Sequence, residues 1–131
     1  MENINLLEYE IADLDFHLPQ DGWPNSVNIE TEFGVRINEQ EKNVVLLEIK
    51  QEINYETVAA KEPESILRVS IIGLAKIENS TGIGKKNSDT YRKGFRLLYK
   101  KLRRKLASFE KLTRIQFPPM PKWEDFNEKE F

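Results

Sequence analysis

The apolar residues of this chain repeat with two different periods. In four segments they alternate with polar residues, and in one later segment they recur every three or four residues. A period of two is typical of a strand with one buried face, whereas the longer period is typical of an amphipathic helix. The elements that we predict are strands at residues 6–18, 27–38, 44–56 and 66–78, a helix at 89–110 and an extended tail at 115–131.

The first alternating segment contains a break in its phase. Its apolar set runs Leu7, Tyr9, Ile11 and, after a slip of one residue, Leu14, Phe16, Leu18. Such a slip would turn the second set toward the other face of the sheet. We therefore predict a β-bulge near Ala12–Asp13.

The fourth alternating segment is apolar on both faces, because Ile72 and Leu74 lie opposite its main apolar set. Short connections between strands predict antiparallel pairing. Together with one helix, this predicts an α+β fold in a single domain of residues 1–131: a four-stranded antiparallel sheet, one long helix and an extended, proline-rich C-terminal tail. Since one helix covers one face of a sheet, the second apolar face indicates contact with another copy or a partner.

Charge is sorted along the chain together with these elements. Residues 1–84 hold 6 Lys or Arg and 16 Asp or Glu, whereas residues 85–114 hold 12 and 2. The formal net charge of −2 therefore conceals an acidic sheet and a basic helix.

The helix cations have two interpretations. They pair with the acidic sheet or a neighbouring subunit, or they bind an anion such as a nucleic acid. Tyr99 is the only aromatic residue that we place among them, which argues against base stacking with a single strand. The residues that we expect to bind an anion or a nucleic acid are Arg96, Lys100, Arg103 and Arg104.

The chain lacks the residue patterns of familiar catalytic and metal sites. It has no cysteine, and its one histidine, His17, lies near Asp13 and Asp15 on a predicted strand. A histidine beside a carboxylate can act as a general base, but a surface histidine in an acidic sheet is the commoner case. We therefore predict no enzyme activity, no catalytic residue, no metal site and no cofactor.

One segment lies between a strand and a helix, as a phosphate-binding loop does, but it lacks the residues of that motif. Residues Gly82–Ser88 follow a strand and precede the helix. The first glycine of such a loop would fall at Asn79, and Lys86 stands where Ser or Thr would follow Lys85. We expect a plain turn here.

The tail contains the proline-rich stretch Phe117–Pro121. Such a stretch is either a ligand for a small recognition module or an extended strap packed on its own domain. Because apolar Ile115 and Trp123 flank it, we predict a strap.

The sequence also bears on location. No apolar run approaches the ~20 residues of a membrane-spanning helix. The first residues show no secretory signal pattern. The absence of cysteine fits a reducing compartment, so we expect a cytoplasmic protein.

The order of these elements resembles that of SecB-like chaperones. Leu14–Pro19 is similar to the end of that family's first strand, and Val27–Ile37 with Val45–Tyr55 is similar to its central hairpin. Ile115–Phe126 resembles its C-terminal segment, where an apolar and proline-containing stretch leads to a final aromatic residue. The resemblance spans approximately residues 7–126.

The resemblance implies a homo-oligomer, typically a dimer of dimers, that holds unfolded polypeptides in apolar grooves without ATP. Relatives include chaperones that guard the antitoxin of a toxin–antitoxin pair, and small phage or Gram-positive proteins. On this hypothesis the chain binds an unfolded or extended client, and the tail is one wall of the groove. The residues that we expect to line the groove are Phe16, Leu18, Trp23, Phe33 and Trp123.

The basic helix departs from this family, whose export members are strongly acidic overall. Two other functions therefore stay open. One is nucleic-acid binding through the helix. The other is regulation by docking on one protein partner, for instance in a phage or a defence system.

Overall fold

The computed structural model describes residues 3–19, 22–41, 43–57, 62–78 and 88–126. The predicted connection at residues 79–87, which includes most of Gly82–Ser88, lies outside them. The elements are β1 (Asn3–Phe16), β2 (Asn28–Ile37), β3 (Val44–Tyr55), β4 (Glu64–Glu78), α1 (Ser88–Thr113) and a short 3-10 helix (Trp123–Asp125).

The four strands form one antiparallel sheet in the order β1-β4-β3-β2. Strands β2, β3 and β4 are neighbours in both sequence and space, and β4 lies between β3 and β1. Between β1 and β2 the chain therefore crosses from one edge of the sheet to the other. This arrangement confirms the predicted α+β fold of four antiparallel strands followed by one long helix.

Three elements extend beyond their predicted ends, and one of them, β4, starts at Glu64 rather than at residue 66. β1 starts at Asn3 rather than at residue 6, because Ile4 pairs with Ile77 and is buried in the core. It ends at Phe16 rather than at residue 18. α1 continues to Thr113, whose hydroxyl donates a 2.7 Å hydrogen bond to the carbonyl of Phe109 and so continues the last turn.

β1 contains two bulges. The pairing of β1 with β4 shifts between Ile11 and Asp13, which confirms the predicted bulge. It also shifts between Leu6 and Glu8, which the sequence did not indicate. At this second bulge Leu6 packs against the core, and Leu7 is 53% exposed.

α1 lies against one face of the sheet through a single apolar stripe. Phe95, Leu98, Leu102 and Leu106 are all buried in the core. A fully buried side chain of this kind contributes about 1.5 to 3 kcal/mol relative to an exposed one. The buried residues of β3 and β4 that complete this core are Val45, Leu47, Ile49, Ile53, Ile66, Leu67, Val69, Ile71 and Ala75.

Two glycines, Gly94 in α1 and Gly73 in β4, allow α1 to approach the sheet closely. A Cβ atom on Gly94 would lie 2.7 Å from Cδ1 of Leu47 and 2.8 Å from Cδ1 of Ile4. A Cβ atom on Gly73 would be equally close to side chains of β1 and α1. Larger residues would force the layers apart.

The chain reverses direction after α1. Arg114 has a φ of 59°, the left-handed conformation that commonly ends helices. Residues Ile115–Phe126, which we call the strap, then run back along α1. The ring of Phe117 stacks on Phe109 at 5.6 Å, and its N–H donates a 3.0 Å hydrogen bond to the carboxylate of Glu110. The proline-rich stretch therefore packs on its own domain, as predicted.

Candidate functional site

The strap closes an aromatic cluster above β2, formed by Phe33, Phe95, Tyr99, Trp123 and Phe126. Ring centroids of Phe33 lie 5.1 Å from Phe95, 6.0 Å from Trp123 and 5.4 Å from Phe126. Tyr99 adds an edge-to-face contact with Phe126 at 5.1 Å. Such pairs contribute about 0.5 to 1.5 kcal/mol beyond the burial of their area. The cluster joins β2, α1 and the strap.

Tyr99 also holds the strap by a polar contact. Its hydroxyl donates a 2.6 Å hydrogen bond to the carbonyl of Pro121, and Nε2 of Gln51 lies 3.5 Å from the same hydroxyl. Burial raises the pKa of Tyr99, and Asp125 adds to this effect. The hydrogen bond with Gln51 and the charge of Arg103 act in the opposite direction.

Beneath this contact lies a buried amide. Gln51 comes from β3, where it interrupts an otherwise apolar row, and its Nε2 donates a 3.1 Å hydrogen bond to Oγ1 of Thr31. Its Oε1 has no hydrogen-bond partner among the described residues. The amide therefore ties β2 to β3 at the cost of one unsatisfied acceptor.

Between the strap and the side chains of β2 that face α1 there is an open cavity of about 480 Å³, which we call the edge cleft. Ile29 and Thr31 of β2 lie on one side of it. The opposite wall is formed by strap residues Pro119, Met120, Pro121, Asp125 and Phe126. Strand β2 is an edge of the sheet, so the edge cleft runs beside a strand with no neighbour on one side in the described part of the chain.

The five predicted groove residues lie in three places. Phe33 and Trp123 are in contact within the aromatic cluster. Phe16 lies in a separate group, with its ring 6.3 Å from Phe109 and 5.3 Å from Phe117. Leu18 and Trp23 lie in the connection between β1 and β2, where they are 63% and 46% exposed. The prediction that all five bind a client stays a prediction.

Sequence reasoning placed Tyr99 wrongly. It was expected on the basic face of α1, but it is 1% exposed and belongs to the aromatic cluster. The physical reason is that the strap covers this side of α1, which widens the buried stripe by one residue. Met120 and Phe126 were not named as site residues either, although their apolar character in a charged or proline-rich setting is a signal that they pack.

The sheet face that points away from α1, the outer face, is acidic. Its ion pairs include Arg68 with Glu52 at 2.9 Å and Lys50 with Glu48 at 3.8 Å. The carboxylates of β1, β2 and β3 that the strand register places on this face are Glu8, Glu10, Asp13, Asp15, Glu30, Glu32, Glu48 and Glu52.

The outer face also carries the second apolar surface that the sequence predicted. Ile72 and Leu74 of β4 are half-buried there and line a shallow depression with Leu46. Glu8 and Glu10 border the same depression.

α1 carries the four predicted cations on the side that faces away from the sheet. Arg96, Lys100, Arg103 and Arg104 are all exposed, and we call them the basic ridge. Two further lysines, Lys101 and Lys105, lie instead over the ring of Tyr9. No helix in the described residues is long and apolar enough to cross a membrane.

The described residues show no assembled metal site. No group of three or more His, Asp or Glu side chains is placed to hold a metal ion within the described ranges. His17 is exposed, with Nε2 3.0 Å from Oδ1 of Asp15. It lines an open cavity at the surface of the sheet together with Asp15, Tyr55, Glu64 and Arg68.

Comparisons with known proteins bear on the fold. No family model matches the chain, and no curated protein sequence matches it. Among solved structures, it is similar to the Mycobacterium tuberculosis Rv1957 SecB-like chaperone in complex with a ChAD peptide from the Rv1956 HigA1 antitoxin. The TM-score is 0.63 with 10% sequence identity, over 92% of this chain and 90% of that one. The chain therefore has a SecB-like fold.

Proposed function

We propose that this chain is a non-enzymatic polypeptide-binding protein, either a SecB-like holding chaperone or a module that binds one client such as an antitoxin. The observation that carries this proposal is the strap. An extended, proline-rich segment lies against the aromatic cluster, with Trp123 and Phe126 packed on Phe33. A surface that accommodates one extended apolar segment has the chemistry to accommodate another beside it.

The edge cleft is where we place the client. β2 pairs with β3 without a register shift from Asn28 to Ile37, so its outer edge is a regular template for an added strand. Alternate side chains of that strand would enter the edge cleft beside Ile29 and Thr31, opposite Met120. Main-chain hydrogen bonds would supply affinity for many sequences, as a holding chaperone requires.

The structural comparison supports this proposal at the level of the fold. The Mycobacterium tuberculosis chaperone was solved with an antitoxin peptide. We propose polypeptide binding for this chain as well, and we do not propose a particular client.

Calorimetry with a permanently unfolded polypeptide, made by reducing and alkylating a disulfide protein, tests the proposal. We expect micromolar binding that weakens in Met120→Ser, because Met120 lines the edge cleft. Weaker binding in Leu18→Ser and Trp23→Ser would show that the client also contacts the exposed connection before β2. Leu112→Ser is the matched control, since Leu112 is an exposed leucine of α1 at 86% exposure. Absence of binding to the wild type at low salt would refute the proposal.

A second experiment tests the position of the client. Strand addition uses the N–H groups of every second client residue, so N-methylation of one alternating set should weaken binding about tenfold or more. Methylation of the other set should have little effect. If both sets weaken binding equally, the client binds without adding to β2, although polypeptide binding itself would stand.

We also propose that the protein forms a homo-oligomer in the cytoplasm. Leu7, Tyr9 and Leu14 on β1 and Leu97 on α1 are exposed large apolar residues, and Tyr9 lies under two lysines of α1. Apolar side chains grouped on one side of a domain commonly contact a second copy. Mass in solution, measured by sedimentation, tests this, and a monomer at micromolar concentration would contradict it.

A further inference from the structure

The charge on α1 has almost no compensation within the helix. α1 contains nine Lys or Arg and only two carboxylates, Asp89 near its start and Glu110 near its end. The basic ridge lies between these two acids. Its residues recur at helical spacing and form one exposed row on the side away from the sheet.

The acidic sheet does not neutralise the basic ridge. In the described residues, no carboxylate lies within ion-pair distance of any of its four cations. The carboxylates of β1, β2 and β3 lie on the outer face, and α1 packs on the opposite face. The helix itself is about 10 to 12 Å across. That distance exceeds the Debye length of about 8 Å at physiological salt, so the two charged surfaces act independently.

A lipid surface is a poor partner for the basic ridge. A helix that binds membranes inserts its apolar side, but in α1 that side is buried: Phe95, Leu98 and Leu102 pack against the sheet. A nucleic-acid single strand is also a poor partner, since stacking needs exposed rings. Phe95 and Tyr99, which adjoin Arg96 and Lys100 in the sequence, are both buried, and Lys101 and Lys105 lie over the exposed ring of Tyr9.

The row of cations matches a rigid polyanion with closely spaced charges. Arg96 and Arg104 are about 12 Å apart along the axis of a regular helix. Exposed Lys93 and Lys111 lengthen the row to about 27 Å on the same geometry. A nucleic-acid duplex presents one phosphate charge per ~1.7 Å of its axis, so several phosphates lie within reach of such a row.

We propose that the basic ridge binds the phosphate backbone of a nucleic-acid duplex without reading its sequence. The four residues of the ridge offer phosphate contacts but no aromatic ring for stacking. This second activity is independent of the polypeptide-binding proposal. It uses the solvent-facing side of α1, whereas the edge cleft lies beside β2.

Fluorescence anisotropy with a labelled DNA duplex of about 20 base pairs tests this proposal. Four phosphate contacts predict that the logarithm of the binding constant falls against the logarithm of salt concentration with a slope of about −3.6. Between about 50 and 200 mM salt, binding should therefore weaken on the order of 100-fold. The variant with Arg96, Lys100, Arg103 and Arg104 all changed to Gln should lose this binding, because Gln keeps helix propensity but has no charge.

The matched control also removes four cations. It changes Arg36, Lys50, Arg68 and Lys76, which the register places on the outer face, to Gln. Both variants have the same net charge, so non-specific electrostatics would weaken both equally. We expect the control to bind the duplex within a few-fold of the wild type.

Three results would overturn the proposal. The first is that the wild type fails to bind the duplex at low salt. The second is that the two variants lose binding equally. Alternatively, polyglutamate at equal charge concentration displaces the duplex, which would identify an acidic protein surface, such as the outer face of another copy, as the better partner. Circular dichroism of both variants establishes that they are folded.

Discussion

The hydroxyl of Tyr99 on α1 donates a hydrogen bond of 2.6 Å to the carbonyl of Pro121 in the strap. The prolines of the strap have no N–H group, so this segment has few donors with which to fix itself. This bond, the hydrogen bond from the N–H of Phe117 to Glu110 and the aromatic contacts therefore set where the strap lies.

Tyr99→Phe should loosen the strap without emptying the aromatic cluster, because the ring is retained. We expect a loss of about 1 to 2 kcal/mol in the free energy of unfolding, since the carbonyl of Pro121 then lacks its donor. Urea denaturation measures this. Tyr9→Phe is the control, because it removes the hydroxyl from a tyrosine outside the cluster, and an equal loss in both variants would contradict a special role for the Pro121 bond.

Stability should depend on Tyr99 at alkaline pH. Burial raises its pKa above the usual value of 10.0, so the folded protein binds this proton more tightly than the unfolded chain does. The resulting stabilisation is complete below pH 10 and is lost as the pH rises through the folded pKa. The difference in unfolding free energy between wild type and Tyr99→Phe should therefore shrink as the pH rises from about 10 through the folded pKa. A constant difference over that range would show that Tyr99 does not titrate with unfolding.

Gln51→Leu should leave stability within about 1 kcal/mol of the wild type, although the residue is buried. The change removes hydrogen bonds to Thr31 and Tyr99, but it also removes the unsatisfied Oε1 and adds apolar contact. Gln51→Ala, which leaves a cavity instead, should cost about 2 kcal/mol or more. Thermal and urea unfolding distinguish these cases, and equal losses in the two variants would mean that the amide bonds dominate.

Gly94→Val should destabilise the protein by about 1 to 3 kcal/mol, because the added methyl groups overlap Leu47 and Ile4. Ala107→Val is the matched change on the exposed side of α1. There we expect only the difference in helix propensity to lower the free energy of unfolding, by about 0.7 kcal/mol or less. If the two variants unfold at the same urea concentration, α1 does not approach the sheet as closely as described.

Arg114→Gly should stabilise the fold by up to about 1 kcal/mol, since a residue with a side chain is strained at a φ of 59°. Arg114→Ala should not raise the free energy of unfolding, because alanine is strained at this φ as arginine is. A gain from both variants would indicate removal of an unfavourable charge rather than relief of the backbone.

The strands and the helix could be predicted from the sequence, because their apolar residues recur at a regular spacing. Alternation located the strands and the bulge beyond Ile11, because a change of phase leaves a visible mark in the pattern. The bulge at Leu7 left no mark, since Leu6 and Leu7 are identical residues and either satisfies the apolar position. The phase of the alternation in β1 was therefore ambiguous where two identical residues adjoin.

The candidate site was harder to predict. The apolar residues of an extended proline-rich segment do not recur at a regular spacing, so its sequence does not indicate the surface on which it packs. Trp123 was predicted to line the groove, but its contact with Phe33 depends on the route of the chain after Arg114. The same route decides that Tyr99 is buried. Neither the sequence of α1 alone nor the sequence of the strap alone indicates that Tyr99 is buried or that Trp123 contacts Phe33.

The strap follows α1 in the chain, which imposes an order on synthesis. At about 5 to 20 residues per second, its twelve residues leave the ribosome on the order of one second after α1. During that interval the sheet and helix can associate, but Phe33 and Tyr99 have neither Trp123 nor Phe126 to cover them. A nascent copy therefore exposes the same kind of aromatic surface that the finished protein is proposed to bind in others.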